Sequence, residues 1–176
     1  MIQLVFACAV SKDGYAFGNK NELPWKHIKE DMIHFKETTE STIMIMGAKT
    51  FSSLPCKLKS RVHVVIADPS KGEPTTKNGE YPDVMYESLD YAVALVEWCD
   101  TKYDISIIGG AKILEEAAEY ADTAVITTIM QHEPVEADVY IDLPSIISKF
   151  KRAKREVIKS DLDSTVMVEY YIRNEG

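Results

Sequence analysis

Apolar residues in this chain form short runs that alternate with longer amphipathic stretches. The runs are rich in Val, Ile and Met, as in buried parallel strands, and they predict strands at 2–10, 42–46, 61–67, 83–86 and 104–108. Between these runs, the apolar spacing predicts helices at about 28–39, 48–54, 88–99 and 111–120. Strands that alternate with helices in this way are typical of an α/β protein with a parallel sheet.

The pattern changes after Asp122, where strand candidates follow one another at 123–130, 154–160 and 164–173. The polar stretch 160–164 between the last two predicts an antiparallel ending. We therefore predict a single α/β domain over residues 1–176, in three layers. It has a mostly parallel central sheet of about eight strands with an antiparallel C-terminal strand, and about four flanking helices. The stretch 69–82 contains three Pro and two Gly, which indicates a surface loop.

Composition narrows the functional classes. With 45% hydrophobic and 27% charged residues, and no apolar run near the roughly 20 residues of a membrane span, we expect a soluble protein. The apolar N-terminus lacks a basic leader, so we expect a cytoplasmic location. The net charge of −8 argues against nucleic-acid binding. Cys8, Cys56 and Cys99 lack metal-ligand spacing and are expected to be reduced and structural.

The first predicted helix carries an acid beside its apolar face. At about 100° per residue, Ile28, Met32 and Phe35 form one stripe. Asp31 falls at the edge of that stripe, whereas Glu30 points nearly opposite. A carboxylate against an apolar wall has a raised pKa or is held by donors, and both conditions suit a ligand pocket. Periodicity does not separate this interpretation from an acid in the first turn that the helix dipole favours.

Two glycine turns follow apolar strands and precede helices. Gly47 stands before a helix whose first residues include Lys49 and Thr50, an arrangement suited to phosphate at a helix N-terminus. The pair Gly109-Gly110 has bare backbone that a pyrophosphate could approach, with Lys112 close behind. The alternative for both turns is ordinary strand-to-helix turn chemistry.

Arg61 opens a predicted strand after Lys57 and Lys59. These three cations form either a solvated basic edge or, in the case of Arg61, an anchor for an anionic substrate.

Taken together and in order, the motifs resemble the dihydrofolate reductase family. They are AxAV, FGNKNELPW, the helix with Asp31 and Phe35, MGAKTFSSLP, Arg61, IIGGAKI and ITTI. ELPW and the MGxKT block are specific to that family, and the latter is similar to phage-encoded members. The resemblance runs from Met1 to about Asp142.

The resemblance implies an enzyme that reduces 7,8-dihydrofolate to 5,6,7,8-tetrahydrofolate by hydride transfer from NADPH. Such an enzyme serves one-carbon metabolism and is an antifolate target. It implies a monomer without a metal, whose partners are dihydrofolate and NADPH rather than nucleic acid or membrane. Asp31 is expected to orient the pterin and to promote protonation of N5. The implied catalytic residues are Asp31, Thr127, Trp25 and Leu23.

The resemblance also assigns two groups of contacts. Those with the substrate are Val5, Phe6, Asp31, Met32, Phe35, Leu54, Leu58, Arg61, Ile108 and Thr127. Those with the cofactor are Ala7, Phe17, Gly18, Asn21, Leu23, Gly47, Ala48, Lys49, Thr50, Ala67, Asp68, Ile108, Gly109, Gly110, Ala111, Lys112 and Ile113. For each apolar residue in these groups, plain core packing is the alternative. The loop Phe17–Leu23 is expected to form a mobile lid that Asp138 holds, and the Gly109-Gly110 bond is expected to be cis.

The chain departs from the family pattern where the cofactor's 2'-phosphate is expected. Ala48 replaces a common Arg, and Ala67-Asp68 replaces a pair that often contains Ser. An acid at position 68 would repel a 2'-phosphate. The expected preference for NADPH over NADH is therefore based on what is usual in the family and on the positive charges of Lys49 and Lys71.

Two other functions stay open at this stage. A related reductase of riboflavin synthesis would share the fold, but the ELPW loop, Asp31 and Arg61 speak against it. A non-catalytic binding module would share the scaffold, but it has no need to retain the acid, the lid and Arg61.

Overall fold

The computed structural model describes residues 1–99 and 102–176. The strands are β1 (Ile2–Ser11), β2 (Gly14–Gly18), β3 (Ile43–Gly47), β4 (Val62–Ile66), β5 (Val84–Tyr86), β6 (Ile105–Gly109), β7 (Thr123–Gln131), β8 (Val139–Ile141), β9 (Phe150–Ser160) and β10 (Ser164–Arg173). The helices are α1 (Lys29–Thr38), α2 (Ala48–Ser53), α3 (Leu89–Trp98), α4 (Ala111–Ala117) and α5 (Leu143–Ile147). A short 3-10 helix, Pro69–Lys71, follows β4.

One sheet contains all these strands, in the order β5-β4-β3-β6-β1-β7-β10-β9, with β2 paired to β1 and β8 paired to β2. The six strands from β5 to β7 are parallel. Strand β10 is antiparallel to β7 and to β9. The predicted parallel sheet with an antiparallel C-terminal part is therefore confirmed, as are all eight predicted strands and four predicted helices.

The structure corrects the predicted counts of strands and helices, because β2, β8 and α5 were not predicted and β9 begins at Phe150 instead of 154. Strands β2 and β8 have five and three residues, too few to show a period. Helix α5 has five residues and begins at an Asp142 cap followed by Pro144. Most of β9 is exposed and charged, so its start carries no apolar alternation.

Side chains of successive strand residues point to opposite faces of the sheet, which produces the predicted three layers. We call the cluster on the face of α3, α4 and α5 the first core; Leu4, Ile45 and Ile107 belong to it. The opposite face, covered by α2 and part of α1, carries the second core, which consists of the buried residues Val5, Met44, Met46, Phe51, Val65 and Ile108 with partly buried neighbours. A third core surrounds Ala9, Ala16, Trp25, Ile28, Ile129 and Val166.

All three cysteines are free thiols. Cys8 is buried in the first core, whereas Cys56 and Cys99 are exposed. The burial of Cys8 fits the structural role expected for it, whereas Cys56 and Cys99 lie at the surface. Within residues 1–99 and 102–176, no helix has the length and apolar character needed to cross a membrane.

Candidate active site

Three parallel strands end side by side at one edge of the sheet. In the register of the sheet, Met46 lies opposite Gly109, and Gly47 lies opposite Ile66. The residues that follow these strands, including the first turn of α2, therefore meet at the carboxyl edge. In open α/β sheets this edge is where ligands bind.

Gly109 provides bare backbone at this edge. Its φ of +154° is one that L side chains rarely adopt, and a Cβ there would lie 3.1 Å from Thr50 Oγ1 and 3.3 Å from Phe17 Cζ. The Gly109-Gly110 bond is cis, which confirms that prediction. The structure thus brings together residues from the first lid position, from α2 and from the end of β6, around a space that only glycine leaves open.

Gly47 lies beside this turn, since a Cβ on it would be 3.2 Å from Ile113 Cδ1 and 3.8 Å from the amide nitrogen of Gly110. Lys49 and Lys112 are exposed at the start of α2 and α4. A cavity of about 260 Å³ joins the lid to α2; its lining residues are Asn21, Ala48, Lys49 and Ser52. The glycine turns and the cations together fit the backbone and the negative charge of a dinucleotide.

Asp31 is buried on α1, with only 7% of its surface exposed, whereas Glu30 beside it is exposed. Burial raises the pKa of Asp31 to about 6, against an opposing effect of His27. A helix dipole would stabilise the charged acid and lower its pKa, so desolvation dominates at this residue. Asp31 is therefore desolvated, as the pocket interpretation expects, and it also lies in the first turn of α1.

The neighbours of Asp31 along α1 define where it points. Ile28, three residues before it, packs in the third core, and Phe35, four residues after it, packs against the second core. Residues at these spacings share one face of a helix, so Asp31 lies over the seam between the two cores. Across that seam runs β1, where Ala7 packs against the third core and stands opposite the buried Thr127.

The second core collects most of the predicted apolar contacts. They are Val5, Phe35, Leu54, Leu58, Ile108, Ala48 and Ala67. Met32 is half-buried on α1. Phe6 is a correction: strand residues alternate in direction, and its ring packs in the first core with its centroid 6.4 Å from that of Phe17. Its side chain therefore lies on the opposite face from Val5.

Arg61 is held at the C-terminal end of α1. Its Nε donates to Thr39 Oγ1 at 3.1 Å, and the guanidinium also donates to the backbone carbonyls of Lys36 and Lys59. Lys57, by contrast, donates to Asp83 Oδ1 at 2.6 Å. The basic stretch is thus not a uniform solvated edge, because Arg61 and Lys57 bind different partners.

The predicted lid ends in a tight turn. Asn19 and Glu22 exchange backbone hydrogen bonds of 2.8 and 2.9 Å, and Lys20 and Asn21 between them have positive φ angles, as in a type I' turn. The amide of Lys20 donates to Asp138 Oδ2 at 3.0 Å, which is the predicted hold on the lid. Behind the lid, Trp25 is buried in the third core, while Leu23 is 53% exposed.

Several residues of the site escaped prediction. The floor of the second core is formed by Met44, Met46, Phe51, Val65 and Met85. The alternation of Met44 and Met46 with Ile45 in β3 is the sequence signal that could have assigned them to one face. His27 and the buried His63 had no such signal, because their roles depend on partners far along the chain.

A glycine cradle at the carboxyl edge of a parallel sheet, together with a buried acid over the seam between the second and third cores, is typical of α/β proteins that bind nucleotides. The sequence profile described as dihydrofolate reductase matches residues 1–174. The chain therefore belongs to the dihydrofolate reductase family.

Individual relatives agree with this assignment. The chain is 39% identical to dihydrofolate reductase type A10 of Escherichia coli, over 72% of this chain and 65% of that protein. It is 37% identical to type 9 of Escherichia coli, over 81% and 78% of the two chains. It is 30% identical to dihydrofolate reductase of Bacillus subtilis (strain 168), over 78% and 73%. The match thus spans just under two thirds of the type A10 relative and more of the other two.

Proposed function

We propose that this chain reduces 7,8-dihydrofolate to 5,6,7,8-tetrahydrofolate with NADPH, and that Asp31 orients the pterin and promotes protonation of its N5. The observation that carries this proposal is the buried carboxylate of Asp31, which α1 places over the seam beside β1. A pterin presents neighbouring N–H donors that a carboxylate can accept as a pair, and family membership supports this substrate.

The cofactor would be held by the residues at the carboxyl edge. Gly47 and Gly109-Gly110 leave space for it, Thr50 offers a hydroxyl, and Lys49 and Lys112 offer positive charge to phosphates. When bound, NADPH supplies the hydride. The lid, with Asp138 holding its tip, would cover this edge and exclude water.

Asp31 would act in two ways. Its ionised carboxylate accepts hydrogen bonds from the 2-amino group and N3 of the pterin, which fixes the ring against Val5, Phe35 and Ile108. Its charge, or a water between it and the ring, then favours a proton at N5. The Thr127 hydroxyl, buried opposite Ala7, would complete the polar contacts. The surrounding apolar wall strengthens these interactions because it excludes water.

The absorbance of NADPH, followed directly, tests the proposal. NADPH oxidation should depend on dihydrofolate, and a tight-binding antifolate should abolish it. Turnover of a riboflavin-pathway pyrimidine without dihydrofolate turnover would favour the related reductase instead. Tight binding of both ligands without turnover would favour the non-catalytic module. The same assay with NADH measures cofactor preference.

Asp68 lowers the preference for NADPH, and Asp68→Ser should lower the KM for NADPH about two- to fivefold while the KM for NADH stays unchanged. Asp68 is exposed after β4, and hydrogen bonds from the Ser70 hydroxyl and amide hold its pKa below the usual range. It is therefore ionised and repels a 2'-phosphate. Steady-state kinetics with both cofactors measures this, and Glu175→Gln, beyond β10 at the opposite edge, is the charge-matched control. An equal change for both cofactors would contradict the prediction.

Arg61→Lys should raise the KM for dihydrofolate about 10- to 100-fold and leave the KM for NADPH unchanged. The contacts with Thr39, Lys36 and Lys59 fix the guanidinium, and its remaining N–H groups can form a fork with the glutamate carboxylate of the substrate. An ammonium cannot make both sets of bonds.

The control for Arg61→Lys is a substrate without the glutamate tail, 6-methyl-7,8-dihydropterin. Its kcat/KM should be the same in the parent and the variant. Lys59→Met removes an exposed neighbouring cation and should leave kcat/KM unchanged for both substrates. A loss with both substrates would show that Arg61 acts on folding rather than on the tail.

A further inference from the structure

The loop between α2 and β4 carries Leu54, Leu58 and Arg61, and a second segment holds it from outside. This segment, residues 76–83, overlaps the stretch 69–82 that was predicted as a surface loop, yet Thr76 within it is buried. Three hydrogen bonds of 2.9, 3.0 and 2.9 Å join the two segments: Lys77 N to Leu54 O, Asn78 N to Pro55 O, and Lys57 N to Glu80 Oε1. These bonds clamp the first part of the loop, residues 54–57.

His63 is the interior part of this clamp. It lies on β4 with 0% of its surface exposed, and its Nε2 accepts a hydrogen bond of 3.1 Å from the amide of Leu58. A backbone N–H can only donate, so Nε2 is unprotonated and the ring proton is on Nδ1. The ring of Phe51 packs edge-on against the imidazole at 6.2 Å between centroids.

Asp83 lies beside the Nδ1 side of the His63 ring. Its Oδ2 accepts the backbone N–H of His63 at 2.8 Å and lies 3.5 Å from Nδ1, while its Oδ1 accepts Lys57 Nζ at 2.6 Å. Burial lowers the pKa of His63, and Asp83 opposes that shift. Partial burial alone would raise the pKa of Asp83, but the His63 amide and the Lys57 ammonium outweigh it and hold that pKa below its usual range. The imidazole is therefore neutral between an anion and a backbone donor.

We propose that His63 is a positioning residue for the subsite that binds the glutamate tail of the substrate, which it holds in place through the Leu58 amide. His63 therefore determines the affinity for this tail and not the rate of the chemical step. The loop it holds presents Leu58 as wall and Arg61 as anion anchor. Protonation at Nε2 would oppose the Leu58 N–H with a second N–H and release the loop. This proposal rests on the proposed function of the site, because it assigns His63 to the same substrate.

Two variants test the two ring nitrogens of His63 separately. His63→Gln places an amide oxygen near the position of Nε2 and can still accept from Leu58. His63→Asn places its amide near Nδ1, so it keeps the contact with Asp83 and loses Leu58. We expect His63→Asn to raise the KM for dihydrofolate about tenfold with kcat and the KM for NADPH retained. The KM of His63→Gln for dihydrofolate should stay within about twofold of the parent value. With 6-methyl-7,8-dihydropterin, the parent and both variants should have the same kcat/KM.

The parent chain supplies a second measurement that needs no variant. The ratio of kcat/KM for dihydrofolate to that for the tail-free dihydropterin should stay constant above the ordinary pKa of histidine, about 6.5, and fall only at lower pH. Burial lowers the pKa of His63, and protonation of this residue loosens only the tail subsite. A pH-independent ratio in the parent, or equal losses with both substrates in His63→Asn, would overturn the proposal. Absence of any dihydrofolate turnover by the parent would instead overturn the proposed function, so the two failures are distinguishable.

Discussion

Asp31→Asn is expected to lower turnover about 10²- to 10³-fold at neutral pH, the usual contribution of a positioned acid or base. Asn keeps the shape of Asp31 but cannot accept two hydrogen bonds from adjacent N–H groups, and it carries no charge that favours a proton at N5. Single-turnover measurements with saturating NADPH and dihydrofolate would report the loss directly.

The pH profile should change in the same variant. Because the site must take up one proton, kcat/KM of the parent should fall as the pH rises above about 6, where Asp31 titrates in the free protein. This inflection should be absent in Asp31→Asn. Glu30→Gln is the matched control, since Glu30 is the exposed neighbour on the same helix turn and should keep both the rate and the inflection. A parent-like rate in Asp31→Asn would remove Asp31 from the mechanism.

The same substitution should stabilise the unliganded protein. A pKa raised from 3.8 to about 6 means that the folded chain bears a penalty for the ionised acid. At about 1.4 kcal/mol per pKa unit, this penalty is on the order of 3 kcal/mol. It is present in full above the folded pKa and disappears as the pH falls below the unfolded one. Thermal unfolding should therefore show a higher Tm for Asp31→Asn at pH 7 and no difference near pH 3.

Gly109→Ala should raise the Kd for NADPH about 10- to 100-fold and destabilise the fold by about 1–3 kcal/mol. The backbone of Gly109 has a φ of +154°, and the added methyl group would meet Thr50 Oγ1 at 3.1 Å and Phe17 Cζ at 3.3 Å. Both side chains must move, and both belong to the proposed cofactor site. Fluorescence titration with NADPH and thermal unfolding measure the two effects.

Gly79→Ala is the control for backbone conformation alone. Gly79 has a φ of +86° with nothing within 4 Å of an added Cβ, so this variant should lose stability without losing cofactor affinity. Parent-like NADPH binding by a folded Gly109→Ala protein would show that the turn at the end of β6 is not the cofactor cradle.

The buried strands and long helices were predictable because their residues carry a local period. Strands β1, β3, β4 and β6 are Val-, Ile- and Met-rich runs that appear within a residue or two of the expected bounds. Strands β2 and β8 were not predictable, because the first is defined by its pairing with β1 and the second by its pairing with β2. Such short elements depend on a partner strand and not on their own pattern.

The motifs identified the candidate site residues, but the fold determined what each side chain contacts. Val5 and Phe6 are neighbours in β1, yet the alternation of this strand places Val5 in the second core and Phe6 in the first core. The hold of Asp138 on Lys20 joins positions 118 residues apart and could be expected only from the family resemblance.

The sequence by itself determined the α/β class, the order of the major elements and the family, because periodicity and short motifs are local properties of the chain. Only the tertiary structure decided that Asp31 is desolvated, that Arg61 is held by the end of α1, and that His63 is a neutral acceptor for Leu58. The physical reason is that a pKa and a hydrogen-bond partner depend on which distant groups share a buried volume, and local periodicity does not encode that arrangement.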